Sequence, residues 1–390
     1  MDTIIDGSTI DGSTSHPNTP GAGTPHTSTS STGAVDRPFQ SAFVTGATGL
    51  LGNNLVRRLT ARGIRVRALA RSREKAAAQF AGLPVEIVTG DMSNVGAFAG
   101  QLTGVDVLFH TAAYFRDSYK GGSHWDRLYA TNVRGTADLL VHAFHAGVRR
   151  IVHTSSTAVL NAPPGVRIDE TMRRREADAD DYQRSKILSD REIDSFLDSH
   201  RDLWACMVLP GFMFGPADIG PTSSGQLVLD FLGRKLPGIP PGSFPVVDAR
   251  DVSDAMIAAA LRGRRGARYI AAGRHMTMPE LVAELARVSG VKAPARRLPM
   301  ALLFAVAAVN ELRARVTGQP VLIGLAAARL IARERNTEFS HELSERELGV
   351  AFRPVDETLR DVIAWYREHG WLDRAGAPGS PRTPAAVRGA

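Results

Sequence analysis

A chain of 390 residues that is 43% hydrophobic and 22% charged has the balance of a folded protein and the length to bury a large core without cross-links, which excludes a wholly disordered, collagen-like or multi-span membrane chain. Its single cysteine, Cys206, excludes a disulfide framework and a cysteine-rich metal site, and its place in the apolar run Leu203 to Leu209 points to a packed thiol without chemistry. The net charge of +7 comes from 42 arginines and five lysines scattered along the chain, so nucleic acid is not expected as a partner and the charge reads chiefly as a solubility feature.

Residues 1–37 are Ser, Thr, Gly, Pro and Asp with almost no large apolar side chain, so a disordered tail is expected, without the basic start and apolar stretch of a secretory signal. The body that follows alternates short β-type runs with helical stretches. Strands are expected at Ser41–Thr45, Arg65–Ala70, Val85–Thr89, Val105–His110, Arg150–Thr154 and Leu203–Leu209, with helices starting near Gly49, Val95, Trp125 and Asp180. That alternation is the mark of an α/β fold, a parallel sheet with helices on both faces. From Pro210 to Pro245 the pattern is irregular and rich in Pro and Gly, and it becomes helical again over Met278–Ser289, Leu298–Thr317 and Val355–His369. A smaller, mostly helical C-terminal lobe over the carboxyl edge of the sheet is therefore expected, where ligands bind in open α/β sheets. The longest apolar run, Met300–Val309, is about half of what a bilayer span needs, so no membrane span is expected. Residues 374–390 read as a second flexible tail.

The strand Ser41–Thr45 runs into Gly46-Ala47-Thr48-Gly49-Leu50-Leu51-Gly52 and then a helix. Gly46 suits a tight turn, Gly49 a close approach of backbone to a pyrophosphate, and Gly52 close packing of helix on strand, with phosphates at the helix N-terminus. This is the order of a Rossmann-type doubly wound nucleotide fold. It suggests a dinucleotide-binding domain over 38–210, with 245–272 returning to it, and a substrate lobe made of 211–244 and 273–373. The second strand ends at Ala70, where NAD-binding proteins place an acid, and Arg71-Ser72-Arg73 follows. A guanidinium there can bind a 2′-phosphate, or the turn can simply be solvated. Asp91, closing the third strand, can accept from an adenine amino group or cap the next helix.

Tyr182 and Lys186 are spaced i, i+4, which puts phenol and ammonium on one helix face. A free phenol titrates near 10, so proton transfer near neutrality needs a large downward shift, which a lysine cation and an oxidised nicotinamide can supply. The strand ending at Thr154 delivers Ser155 and Ser156 to the carboxyl edge, where a hydroxyl can donate to a substrate oxygen.

Together with Asp106 to Ala113, Thr131 to Thr136, Leu209 to Pro216, Asp248 to Val252 and the late Glu347-Leu348-Gly349, Trp365-Tyr366 and Gly370-Trp371, these motifs resemble the extended short-chain dehydrogenase/reductase family, within the NAD-dependent epimerase/dehydratase superfamily. The chain looks most like the dihydroflavonol reductase and aldehyde reductase branch, and is similar also to hopanoid-associated sugar epimerases. The resemblance implies a Ser156, Tyr182, Lys186 triad. Ser156 is preferred to Ser155 because a run of small residues ending at Asn161 follows it, and Asn132 would anchor a helix or join a proton relay. It also implies cofactor contacts from Gly46, Thr48, Gly49, Leu50, Leu51, Gly52, Arg71, Asp91, Met92, Thr111, Ala112, Ala113, Tyr182, Lys186, Pro210, Gly211 and Met213, with Tyr114, Phe115 and Arg116 lining the substrate pocket. Asp190 stands where many members carry Glu, and the N-terminal extension has no counterpart in the family core.

The function expected is that of an NADP(H)-dependent oxidoreductase, with NAD(H) possible, acting on a small ketone, aldehyde or alcohol. The alternatives are an NAD-dependent nucleotide-sugar epimerase or dehydratase, a 3β-hydroxysteroid dehydrogenase, or a dinucleotide-binding regulatory protein without turnover. A metal-free, cytoplasmic monomer or homodimer completes the expectation.

Overall fold

The strands are short, and those at the centre of the main sheet are largely apolar and buried on both faces, whereas Val85–Thr89 at its edge buries only Val88. They form as β1 (Ser41–Thr45), β2 (Arg65–Ala70), β3 (Val85–Thr89), β4 (Val107–His110), β5 (Arg150–Thr154) and β6 (Trp204–Pro210). Then come β7 (Phe212–Phe214), β8 (Ser243–Asp248), β9 (Arg268–Ala271) and β10 (Arg274–Thr277). The computed structural model describes residues 38–115, 124–163, 165–317 and 338–372, with Leu325, Ala328, Arg329 and Ala332 between the last two stretches. Both expected tails and Arg116 lie outside the described residues.

Seven strands make one sheet of order β3-β2-β1-β4-β5-β6-β9, parallel at every pairing. The helices are α1 (Leu50–Ala61), α2 (Arg73–Gln79), α3 (Trp125–Leu128), α4 (Gly135–His145), α5 (Asp181–Ser199) and α6 (Ser223–Leu232). They continue as α7 (Ala249–Arg262), α8 (Met278–Ser289), α9 (Met300–Thr317), α10 (Glu342–Leu348) and α11 (Val355–Glu368). Alternation along each strand divides the core between two faces. Val44, Val66 and Phe109 pack with Leu55 of α1 and Val252 of α7, whereas Phe43, Leu108 and Ile151 pack with Leu139 of α4 and Ile187 of α5. The chain is thus a doubly wound α/β fold whose strand order reverses between β1 and β4, the place where such sheets open a crevice at their carboxyl ends.

Two expectations are corrected. The helix expected near Val95 is only a pair of 3₁₀ turns, Val95–Ala97 and Ala99–Leu102, because Gly96 and Gly100 dilute helix propensity and Asn94 makes no side-chain cap. The stretch from Pro210 to Pro245 is also less irregular than its composition suggests, although the C-terminal region as a whole is mostly helical, as expected. β7, β8 and β10 form a three-stranded sheet, and α6 starts at Thr222, whose hydroxyl accepts from Gly225 N. A Cβ at Gly225 would collide with Asp218 and with the Tyr366 hydroxyl, so this glycine serves close packing. Phe214, Val228, Leu281, Leu359 and Tyr366 belong to the core that joins these elements to α8 and α11.

Candidate active site

At the reversal of strand order, β1 turns through Gly46 (φ +64), where a Cβ would stand 2.7 Å from the backbone of Ala112. A Cβ at Gly52 would collide with the Gly46 carbonyl and lie 2.8 Å from Ala47 Cα, so α1 packs on its own entry turn. Gly49 differs, since its Cβ would meet only the Gly46 oxygen, at 3.3 Å. Packing therefore demands glycine at 46 and 52, while at 49 it leaves open the space that a pyrophosphate backbone contact requires. No side chain caps α1 and no acid sits in its first turn, so its first amides and the positive end of its dipole are available to an anion. The residues present fit a dinucleotide. Leu50 and Leu51 bury their side chains and offer only backbone, and the Thr48 carbonyl accepts from Gln79 Nε2 at 3.2 Å.

At the end of β2, Arg71 is 85% exposed, with Nε 4.0 Å from Asp91 Oδ2. Arg73 instead donates to the Ile87 carbonyl at 2.8 Å, which ties it to β3. Asp91 accepts from Ser93 N at 2.8 Å. It shapes a turn there and does not cap a helix. Partial burial pushes its carboxyl up, but the bonds from Ser93 and the Arg71 charge outweigh this and hold it below the usual carboxylate range.

The first turn of α5 is fixed by reciprocal bonds, Gln183 N to Asp180 Oδ1 at 2.8 Å and Asp180 N to Gln183 Oε1 at 3.0 Å. That turn carries Tyr182, whose phenol is influenced by the Ser156 hydroxyl, which acts to lower its pKa, and whose ring centroid lies 4.8 Å from that of Phe115. One turn later Lys186 is buried, with Nζ donating to the Thr154 carbonyl at 2.6 Å. The end of β5 thus supplies both the hydroxyl beside the phenol and the carbonyl that anchors the ammonium. Ser155 faces elsewhere: its hydroxyl donates to Asp190 Oδ2 at 2.8 Å.

The electrostatics correct one expectation. Burial pushes the Tyr182 phenol above its ordinary value, the Ser156 hydroxyl offsets this in part, and the charges of Asp180 and Asp190 add to it. Lys186 is itself pushed down to about 8 by burial, with Asp190 opposing. The protein's own groups therefore do not bring the phenol toward neutrality, because desolvation acts on both members of the pair.

Sequence reasoning missed a buried polar row beneath this site. Thr45, His110 and His153 are register partners across β1, β4 and β5. Thr45 Oγ1 lies 2.8 Å from His110 Nδ1, and His110 Nε2 lies 2.9 Å from Thr136 Oγ1. Ser189 Oγ then stands 3.3 Å from Thr136 Oγ1 and 3.2 Å from His153 Nε2. Burial, with the Lys186 charge among the added causes, pushes His153 down to about 4 and His110 well below its ordinary value, so both imidazoles are neutral. The row ends at Asp190, 3.6 Å from His153 Nε2 and 3.8 Å from Arg268 Nε. Burial opposes the Asp190 charge, but His153, Arg268 and Lys186 hold its carboxyl below the usual range. The available signal was a Thr or His at the end of each of three otherwise apolar strands.

The remaining residues surround the same crevice. Asn132 lies in a π-helical stretch, Tyr129–Arg134, and accepts from Tyr114 N at 2.7 Å while donating to the Tyr114 carbonyl at 3.2 Å and Ser185 Oγ at 3.0 Å. It ties the turn after β4 to α5, and none of these partners is Ser156, Tyr182 or Lys186. Tyr114 places its hydroxyl 3.0 Å from His124 Nδ1. Thr111 Oγ1 donates to the Thr45 carbonyl at 2.6 Å and Ala112 N to Thr45 Oγ1 at 3.2 Å, closing that turn on β1, and Ala113 is exposed. The Pro210 carbonyl accepts from Thr157 Oγ1 at 3.3 Å, a Cβ at Gly211 would collide with the Pro245 carbonyl, and Met213 is half-buried on β7. Met92 stands apart, its side chain buried in the core. Among the described residues no cluster of three His, Cys, Asp or Glu could hold a metal, and no helix is long and apolar enough to cross a membrane.

Comparison with known proteins agrees with this geometry. The model of the NAD dependent epimerase/dehydratase family matches residues 42–272. Sterol demethylase protein B of Methylococcus capsulatus is 33% identical over 335 residues, covering 85% of this chain and 100% of that protein. A Synechocystis protein named as a dihydroflavonol 4-reductase is 32% identical over 340 residues, covering 85% and 95%. Among solved structures, the crystal structure of gox2253 superposes with a TM-score of 0.72 at 33% identity, covering 85% of this chain and 99% of that one.

Proposed function

The chain belongs to the NAD dependent epimerase/dehydratase family, and on that premise we propose that it is an NADP(H)-dependent oxidoreductase that reduces a ketone or aldehyde, or oxidises the corresponding alcohol. The observation that carries this reading is the placement of Tyr182 and Lys186 on one face of α5 at the carboxyl end of β5, where Lys186 Nζ donates to the Thr154 carbonyl and the Ser156 hydroxyl lowers the phenol's pKa, beside a glycine turn that fits a dinucleotide. When bound, the nicotinamide supplies or takes up the hydride. Ser156 donates to the carbonyl oxygen as negative charge grows on it, and Tyr182 delivers the proton that completes the alcohol. A high phenol pKa suits this direction, since the group stays protonated until an alkoxide needs its proton. Lys186 carries positive charge below about pH 8 and orients the ribose side of the cofactor. Asn132 positions the Tyr114 turn, and with it the Phe115 ring that packs on Tyr182.

Preference for NADP(H) rests on Arg71, a solvated guanidinium after a strand that ends in Ala70 in place of an acid. Reduction of a carbonyl is further supported by the name of the Synechocystis relative. The test is to incubate the purified protein with NADPH and a panel of ketones, aldehydes and sugar nucleotides while following cofactor absorbance and products. Stoichiometric oxidation of NADPH with appearance of an alcohol is expected. Conversion of a sugar nucleotide to its epimer without net change in the cofactor would overturn the reading.

A further inference from the structure

Helix α9 has an outer face that no other element covers among the described residues. Leu303 and Ala307 turn inward onto Ala328, and Phe304 and Leu325 complete that small cluster. On the other side Leu302 is 44% exposed, Val306 41%, Val309 65% and Leu312 64%. At about 100° per residue these positions and the alanines between them occupy an arc of about 160°. The exposed alanines and Pro299 fill the rest of the surface, so every exposed side chain from 295 to 312 is apolar or cationic. The cations come just before the helix. Lys292, Arg296 and Arg297 are exposed, and none of them pairs with a carboxylate among the described residues. Glu311, the one acid of the stretch, is half-buried and accepts from Leu325 N at 3.1 Å.

We propose that this face docks flat on an anionic lipid bilayer, with the arc from Leu302 to Leu312 entering the headgroup boundary and Lys292, Arg296 and Arg297 meeting lipid phosphates. Exposed aliphatic side chains with free cations just beside them combine apolar insertion with attraction to anionic lipid, the two contributions that hold a peripheral segment on a membrane surface. The helix does not span: it is not apolar enough, and one side of it is committed to Ala328 and Leu325. Charge argues against a second copy of the chain as the occupant. Paired in parallel, two such helices would bring Arg296 and Arg297 against their own counterparts. Cation would meet cation in that arrangement, whereas an anionic headgroup layer complements the face in any rotation about the membrane normal.

The experiment is co-sedimentation of the full-length protein with vesicles of phosphatidylcholine alone and of phosphatidylcholine with phosphatidylglycerol. Binding is expected to the mixed vesicles and to weaken with added salt. Val306→Gln with Val309→Gln, and separately Arg296→Gln with Arg297→Gln, should each weaken it about tenfold or more, with melting temperature and NADPH affinity unchanged. The uncharged first pair separates apolar insertion from attraction through net charge alone. Failure to bind mixed vesicles, or binding that Val306→Gln with Val309→Gln leaves intact, would overturn the proposal. So would a wild-type dimer without vesicle affinity that this pair converts to a monomer, which would make a second copy the occupant.

Discussion

Replacing Lys186 by methionine should make the protein more stable and less active at the same time. The ammonium is buried against the Thr154 carbonyl, and burial lowers its pKa from an ordinary 10.5 to about 8. That difference corresponds to about 3 kcal/mol by which the fold disfavours the charged form. Below about pH 8 the folded and unfolded chains both hold the proton, so the folded state bears the whole penalty. Between about 8 and 10.5 the unfolded chain keeps the proton that the folded chain has lost, so wild-type stability rises with pH across that window. Methionine fills similar space without charge and leaves the Thr154 carbonyl without its donor, a loss of about 1 kcal/mol or more. The net expectation is a gain of about 1–2 kcal/mol at pH 6.5. It should shrink above pH 8 and reverse between about pH 9 and 10, and by about 10.5 only the lost hydrogen bond remains. Urea titrations at pH 6.5, 8 and 9.5, paired with turnover at each pH, would measure it. A Lys186→Met protein less stable than wild type at pH 6.5, or one whose advantage does not decline with pH, would refute the reasoning that burial dominates this lysine.

Tyr182→Phe keeps the ring that packs on Phe115, so NADPH affinity should be preserved while turnover falls by a factor of about 10² to 10⁴, measured by fluorescence titration and initial rates. Arg71→Ala should remove most of the preference for NADP(H) over NAD(H), a difference of about 1–3 kcal/mol for charge-assisted bonds to a 2′-phosphate. Because Arg71 is 85% exposed, the melting temperature should not change. Gly52→Ala should lower both stability and cofactor affinity, since its Cβ would collide with the Gly46 carbonyl, whereas Gly49→Ala meets a single atom at 3.3 Å and should weaken the cofactor with little change in unfolding. Equal unfolding midpoints for the two glycine variants would contradict that distinction.

Much of this was legible in consecutive residues. The strand, glycine turn and helix from Ser41 to Ala61 stand within a few residues of where the sequence puts them. So does the i, i+4 pair Tyr182 and Lys186 on α5. Turn chemistry and periodicity act between near neighbours, and a linear reading captures them. The small sheet of β7, β8 and β10 was not legible, because its strands are three to six residues long, too short for a period to show, and they find partners far along the chain. The partner of Ser155 was likewise decided by packing: Asp190, 35 residues away, takes up its hydroxyl. The sign of the Tyr182 shift depends on burial, which is a property of the assembled fold. The same holds for α9. Its apolar composition is written in the sequence, but which of its side chains stay in contact with water depends on what the rest of the chain packs against it.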